Sequence, residues 1–306
     1  MSSYKHRVIA LGFFDGMHIG HSALIWRVLD IGEKTGLVPS VITFDTHPRS
    51  LLHGEDVVLI NSPQDRAGLI HRVFEIEDII FLRFDQATAQ MPWDKFVDHL
   101  VDEFGARHLV AGFDFRFGMA GQGNSTLLKQ KCAELGIGCD IIPEVKLDNV
   151  TSSSTHVRSL IKSGDIERAN AFLGHPHVLT DVVRFGYRLG RKIGTPTINM
   201  CFQEGVLIPA FGVYVTKVYL DDGSEHVGVT NIGVRPTVNA SDPVVTAETH
   251  ILDYRSNLYG RQVRIEFYAR LRDEVKFDNI EDLKVQIKKD CQAAAEYFSK
   301  GTKKGL

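Results

Sequence analysis

Apolar and polar positions alternate along this chain in two different rhythms. From Arg7 to Val145, short apolar runs are separated by segments whose apolar residues recur every three or four positions. The runs predict strands over Val8–Leu11, Val38–Phe44, Ile79–Phe84, His108–Gly112 and Asp140–Pro143. The periodic segments predict helices over Ser22–Lys34, Pro63–Phe74, Trp93–Phe104 and Ser125–Leu135. Strands alternating with helices imply a doubly wound parallel sheet covered on both faces, with its working site at the strands' carboxyl ends.

The rhythm changes after Gly174. His175-Pro176 reads as a joint, dividing the chain into domains 1–174 and 175–306. Beyond it, Val213–Leu220 is rich in β-branched and aromatic residues, Asp221–Ser224 reads as a turn, and His226–Thr230 returns. Glu248–Leu252 and Arg261–Ala269 add strands, and this spacing suggests a small antiparallel β-barrel. An amphipathic helix, Ile280–Phe298, closes the chain with Leu283, Ile287 and Cys291 on one face.

Composition narrows the function. At 306 residues there is room for two cores, and 43% hydrophobic with 24% charged residues is ordinary for a globular protein. A net charge of −3 supplies no global attraction to nucleic acid. Cys132, Cys139, Cys201 and Cys291 have no Cys-x-x-Cys spacing, so neither a zinc ribbon nor a disulfide scaffold is expected. With no signal-peptide core and no bilayer-length apolar run, a cytoplasmic protein without membrane or nucleic-acid partners is expected. No oligomeric state is implied.

Candidate chemistry gathers after the predicted strands. The first is followed by Gly12-Phe13-Phe14-Asp15-Gly16-Met17-His18-Ile19-Gly20-His21, a glycine turn opening a helix. Its glycines permit close backbone approach, and a helix start offers free N–H groups and a positive dipole end. His18 and His21, three apart, project from one side of that first turn and suit a nucleotide triphosphate. They could equally be a metal pair or surface residues. After the second strand comes Asp45-Thr46-His47-Pro48-Arg49, and after the fourth Phe113-Asp114-Phe115-Arg116-Phe117. Aromatics beside polar groups suit a flat heteroaromatic ligand, although they can also merely pack. Ser152-Ser153-Ser154-Thr155 reads as a cap cluster whose helix carries Arg158 in its first turn, a cation placed to face an anion.

These strings, in this order, resemble the FAD synthetase branch of the nucleotidyltransferase superfamily. The resemblance implies FMN adenylyl transfer from ATP, with His18, His21 and Arg158 stabilising phosphate charge. It implies ATP contacts from Gly12, Phe14, Asp15, Gly16, Gly20, Ser153, Ser154 and Thr155. Flavin contacts are implied for His47, Pro48, Arg49, Phe113, Asp114, Phe115 and Phe117.

In the second half, Gly190-Arg191-Lys192-Ile193-Gly194-Thr195-Pro196-Thr197-Ile198-Asn199 lacks P-loop spacing and by itself can be just a bent barrel strand. With Gly212-Val213-Tyr214, Asn231-Ile232-Gly233, Pro236-Thr237, Glu248-Thr249-His250, Leu258-Tyr259-Gly260 and Leu271-Arg272-Asp273-Glu274, it resembles riboflavin kinase. That resemblance implies ATP contacts from Gly190, Arg191, Gly194 and Pro196. It implies Mg²⁺ ligation by Thr197 and Asn199, a flavin contact from Arg272, and Glu248 as general base; an exposed strand glutamate is the bland alternative. The whole chain is thus similar to the prokaryotic bifunctional riboflavin kinase/FAD synthetase family, acting on riboflavin, FMN, FAD and ATP. Single-activity and non-catalytic flavin-sensor readings are the alternatives. Departures stand at Phe13 (usually Asn), Thr46 (Pro), His177 (Tyr), Asp181 (Gly) and Thr195 (Phe). An aspartate beside phosphates repels them unless Mg²⁺ or an arginine compensates.

Overall fold

A computed structural model describes residues 5–47, 50, 54, 57–186, 194–235 and 244–301. Pro48, Arg49, Gly190, Arg191, Lys192, Ile193, Pro236 and Thr237 lie outside the described residues. The chain divides into two compact units, Met1–His156 and Val157–Leu306.

In the first unit, short apolar runs become strands that are most buried at the centre of the sheet and half-buried at its edges. These are β1 (Arg7–Leu11), β2 (Val38–Phe44), β3 (Asp78–Leu82), β4 (Ala106–Gly112) and β5 (Gly138–Ile142). They form one sheet of order β3-β2-β1-β4-β5, and each adjacent pair is parallel. Helices α1 (Ile19–Thr35), α2 (Pro63–Phe74), α3 (Trp93–Asp102) and α4 (Ser125–Glu134) connect them. Leu11 pairs with Ile42 on one side and Ala111 on the other, so β1 is where strand order reverses. The crevice beyond its carboxyl end is where such sheets bind ligands.

The predicted α1 began at Ser22; the observed helix starts three residues earlier because His18 caps it, its Nδ1 accepting from the His21 amide. Histidine is not among the usual cap residues, so composition gave no warning. Gly32 lets α1 pack closely on β2: a Cβ there would sit 2.7 Å from Pro39 Cγ. A short hairpin, β6 (Lys146–Leu147) with β7 (Val150–Thr151), was not anticipated.

Helix α5 (Ser154–Ser163) spans the division between units, and α6 (Ile166–Leu173) belongs to the second. Asn170 of α6 donates to the Phe267 carbonyl and accepts from the His177 amide, which ties the helix to the second sheet. That sheet comprises β8 (His177–Val182), β9 (Thr197–Cys201), β10 (Gly212–Tyr219), β11 (Glu225–Arg235), β12 (Val244–Ile251) and β13 (Gln262–Arg272). It is antiparallel, in the order β8-β13-β10-β11-β12-β9. The sheet curls until its edges meet at one bridge, Arg184 with Asn199. Helix α7 (Ile280–Gly301) covers one face, where Cys291, Ala294, Tyr297 and Phe298 pack with Val213, Val215 and Val229.

β11 runs past the predicted end at Thr230 because β10 and β12 pair with it on both sides. Its in-strand Gly233 makes room for a neighbour: a Cβ there would overlap the Glu274 carboxylate. β8 begins directly after His175-Pro176, where the joint expected from the sequence gives no strand signal.

His177 is buried beside Phe267, its Nδ1 without a hydrogen-bond partner, and burial pushes its pKa down to about 3, with His175 adding to the shift. The unfolded chain takes up a proton near pH 6.5 that the folded chain refuses, so stability is full above 6.5 and falls as pH drops towards 3. At pH 5 the expected loss is about 2 kcal/mol relative to His177→Gln, which does not titrate. Urea unfolding at pH 7 and 5 measures it. Both tryptophans lie in the first unit and every tyrosine but Tyr4 in the second, so tyrosine signal follows the relevant transition. Equal pH slopes for the two proteins would refute the assignment.

Candidate functional site

The glycine turn after β1 is shaped by buried partners rather than by its glycines alone. Phe14 is fully buried in the left-handed region at φ 57°, packed edge-on to the His21 ring at 5.2 Å. The Asp15 carboxylate is buried and accepts the amides of Ile60 (2.9 Å) and Asn61 (3.3 Å). The Asp15 carbonyl accepts the Ser154 hydroxyl at 2.9 Å, and Ser153 caps α5 by accepting from the His156 amide. The side chains of Phe14, Asp15 and Ser154, expected at ATP, therefore serve first to fix the turn and to join it to the cap cluster.

His18 and His21 lie as expected on one side of the helix start. Their rings stack with centroids 3.7 Å apart and planes at 20°. Stacked rings do not converge on one metal ion, and no group of three histidine, cysteine or carboxylate side chains suited to a metal occurs among the described residues. Burial, then His18, then Arg66 hold the His21 pKa well below its ordinary value, so the ring is neutral near pH 7 and offers one N–H donor.

Arg66 escaped the sequence reading. It is buried in α2 and donates to the carbonyls of Phe13 (2.6 Å) and Phe44 (2.9 Å), clamping the ends of β1 and β2 together. Thr43 Oγ1 also donates to the Phe13 carbonyl. The guanidinium rests 4.4 Å over the Phe13 ring, which in turn meets His47 edge-on at 4.6 Å. Desolvation lowers the Arg66 pKa to about 10 against the pull of Asp15 and Asp45, leaving it a cation at neutral pH. Its only sequence signal was an arginine on the apolar face of a predicted helix.

Two expectations need correction. Of the three phenylalanines after β4, only Phe113 is exposed; Phe117 is a core residue packed on Phe96, and Phe115 stacks on it at 5.4 Å. Phe117 is thus committed to the core and Phe115 is half-buried against it, while Phe113 and Asp114 remain at the surface. Arg158 is the fifth residue of α5, past the first turn, so the dipole argument for it loses force. It falls in the second compact unit.

In the second unit, strand register brings the expected residues together. Asn199, Glu248 and Asn231 lie opposite one another on β9, β12 and β11, with Thr197 opposite His250. Between this face and α7 lies a cavity of about 220 Å³ lined by Thr197, Glu248, Asn231, Arg272, Val229 and Ile287 among others. Arg272 is held by the buried Asp290, which also accepts from Gln286. Asn231 donates to Glu274 at 2.8 Å, and the Pro196 carbonyl and His250 Nδ1 lie 2.8 Å apart. A second, larger and more open depression of about 930 Å³ takes in Gly194, Pro196, Thr197, His250, Asp253 and Tyr259. At its edge Phe185, two-thirds exposed, stacks on Tyr259 at 4.2 Å. Thr197 and His250 line both spaces, so β9 and β12 divide an apolar chamber from a polar one.

Asp181 does not stand as a bare charge. Arg184 pairs with both of its oxygens at 3.3 Å, and it accepts the Cys201 amide at 2.8 Å. The Asn231, Glu274 and Asp290 contacts, like the Phe185 stack, were beyond sequence reasoning because each depends on strands or helices distant in the chain.

Comparisons with known proteins agree with this division. The FAD synthetase family model matches residues 1–156 and the riboflavin kinase model residues 173–298. Proteins named bifunctional riboflavin kinase/FMN adenylyltransferase from Bacillus subtilis and Listeria monocytogenes are each 34% identical, over 95% and 96% of this chain and 92% and 93% of theirs. The one from Haemophilus influenzae is 33% identical over 95% of this chain and 94% of its own. A crystal structure described as a macrolide-efflux protein from Streptococcus pneumoniae matches with a TM-score of 0.85 at 28% identity, covering 96% of this chain and 95% of that one. No described helix here is long and apolar enough to cross a membrane. With each family model falling on its own unit, and relatives aligned almost end to end, the chain belongs to the bifunctional riboflavin kinase/FMN adenylyltransferase family.

Proposed function

We propose that this protein phosphorylates riboflavin to FMN in its second unit and adenylylates FMN to FAD in its first, using ATP for both. The observation that carries the reading is that the two family matches fall on different compact units. The functional modules are taken as 1–174 and 175–306, and their work as cytoplasmic, where ATP is at hand.

In the kinase step the riboflavin ring occupies the apolar chamber and ATP the polar one. Glu248 accepts the proton of the ribityl 5′-hydroxyl as that oxygen bonds to the γ-phosphorus and the bond to ADP breaks. Asn231 and Asn199, in register on either side, are suited to orient the hydroxyl and the phosphate. Arg272, fixed by Asp290, lines the flavin side. Thr197 and Asn199 offer neutral oxygen donors, and Asn199 Oδ1 is buried with no hydrogen-bond partner, which fits a hard cation such as Mg²⁺. When bound, Mg²⁺ neutralises charge on the ATP phosphates.

In the adenylyl step an FMN phosphate oxygen attacks the α-phosphorus of ATP and pyrophosphate leaves. No side chain needs to act as nucleophile; positioning and charge stabilisation suffice. The α1 start, with neutral His21 beside His18 and the glycines at 12, 16 and 20, suits the triphosphate. The hydroxyls of Ser153 and Thr155 are the further phosphate contacts proposed. Phe113, Asp114 and His47 are retained as flavin contacts.

Chromatographic product analysis with purified protein, Mg²⁺ and ATP tests both steps. FAD from riboflavin and from FMN is expected. FAD from FMN alone would reduce the second unit to a flavin-binding or regulatory part, and bound flavin without product would overturn the enzymatic reading.

A further inference from the structure

The six-stranded sheet of the second unit has β8 and β9 as its outermost strands, and β9 is the strand that carries Thr197 and Asn199. An outermost strand has a row of backbone N–H and C=O groups with no strand beside them. β9 has β12 on one flank, and on the other, among the described residues, a single bridge in which the Arg184 amide donates to the Asn199 carbonyl at 2.9 Å. Two residues further along β9, a side chain takes over. The Asp181 carboxylate, on β8, accepts the Cys201 amide at 2.8 Å. It is itself held by Nε and NH2 of Arg184, each at 3.3 Å. Asp181 is only 10% exposed although Arg184 reaches into solvent, so the bond to β9 is sheltered at the carboxylate end. The arrangement is a closed loop: Asp181 to Cys201, along β9 to Asn199, across to the Arg184 backbone, and through its guanidinium back to Asp181.

Asn199 sits inside that loop. Its carbonyl is fixed from the β8 side and its side-chain amide is tucked where Gly186 has no Cβ, since a Cβ there would overlap Asn199 Nδ2. Its Oδ1 is buried and unpartnered, and residue 199 is in backbone register with Glu248. We infer that Asp181 is a positioning residue for the kinase reaction: its carboxylate latches β9 to β8 and so holds Thr197 and Asn199 in place for the ATP phosphates and their cation. The inference rests on the kinase reading above. Arg184 removes the charge conflict that an aspartate near phosphates would otherwise bring. A glycine at 181 could make neither contact.

The test compares wild type with Asp181→Gly and Asp181→Asn by two readouts. Hydrogen exchange reads the latch itself, independent of catalysis. In Asp181→Gly the Cys201 amide and its β9 neighbours should exchange at least tenfold faster, with the rest of the sheet unchanged. Steady-state kinetics reads the consequence: the KM for ATP and the Mg²⁺ concentration for half-maximal riboflavin phosphorylation should each rise about tenfold, with a smaller change in kcat. Conversion of FMN to FAD by the same preparation should stay within twofold. Asp181→Asn keeps an acceptor for the Cys201 amide and should fall between. Unchanged exchange at Cys201 would refute the latch, and faster exchange with unchanged ATP and Mg²⁺ dependence would refute its role in positioning. A wild-type protein that binds MgATP but does not phosphorylate riboflavin would instead refute the kinase reading, leaving the exchange result to judge the latch alone.

Discussion

Replacing Glu248 by alanine or glutamine is expected to slow riboflavin phosphorylation by about 10²–10⁴-fold, the usual contribution of a positioned general base. That corresponds to about 3–5 kcal/mol of barrier. The loss should appear in kcat, because the residues proposed to hold the substrates are separate: Arg272 is anchored by Asp290, and Val213, Val229 and Ile287 line the chamber. Glu248→Gln is the sharper variant, since it preserves shape and hydrogen bonding to the flanking strands while removing the proton acceptor. Conversion of FMN to FAD should be untouched, as that chemistry belongs to the other unit. A loss below tenfold would remove Glu248 from the base role. Loss of both conversions in protein that is still folded would undo the assignment of two sites.

The reverse pattern is expected for His21→Ala: FMN formation persists while FMN adenylylation falls by about 10²–10³-fold, the effect of deleting one preorganised donor to developing charge. Because burial, His18 and Arg66 all disfavour a cationic His21, the ring should act as a neutral donor. His21→Gln, which restores an N–H without a titratable group, should then recover a substantial part of the rate. If glutamine is as poor as alanine, charge rather than donation is what the step needs, and triphosphate binding must protonate the ring. Single-turnover assays with FMN and ATP separate these outcomes from effects on product release.

The two patterns differ in how far they could be foreseen. The position of His18 and His21 on one side of a helix start could be expected from the sequence, because a strand, a turn and a helix start are set by near neighbours, whereas Glu248 stood out only through the motif around it. The burial of Phe117 could not be foreseen, for the opposite reason. Read locally it is an aromatic beside charges, but α3 and α4 bring Phe96 and Leu128 against it, and burial of a ring among apolar neighbours is worth more than its exposure to a ligand. Arg66 was invisible because a buried arginine is tolerated only where two carbonyls and an aromatic face await it, and those come from β1 and β2.

What the sequence determined by itself was periodicity: which stretches are strands or helices, and therefore a parallel α/β unit followed by an antiparallel one. It also determined the strings that could meet phosphate, since glycine turns and helix starts act within a few residues. Tertiary structure alone decided pairing. The opposition of Asn199, Glu248 and Asn231 depends on which strands become neighbours and in what register. So does the seam at Asp181, Arg184 and Cys201. Periodicity is fixed by backbone geometry over a turn or a pleat, whereas register is chosen by the free energy of burying one whole face against another. No stretch of chain shorter than the sheet contains that information.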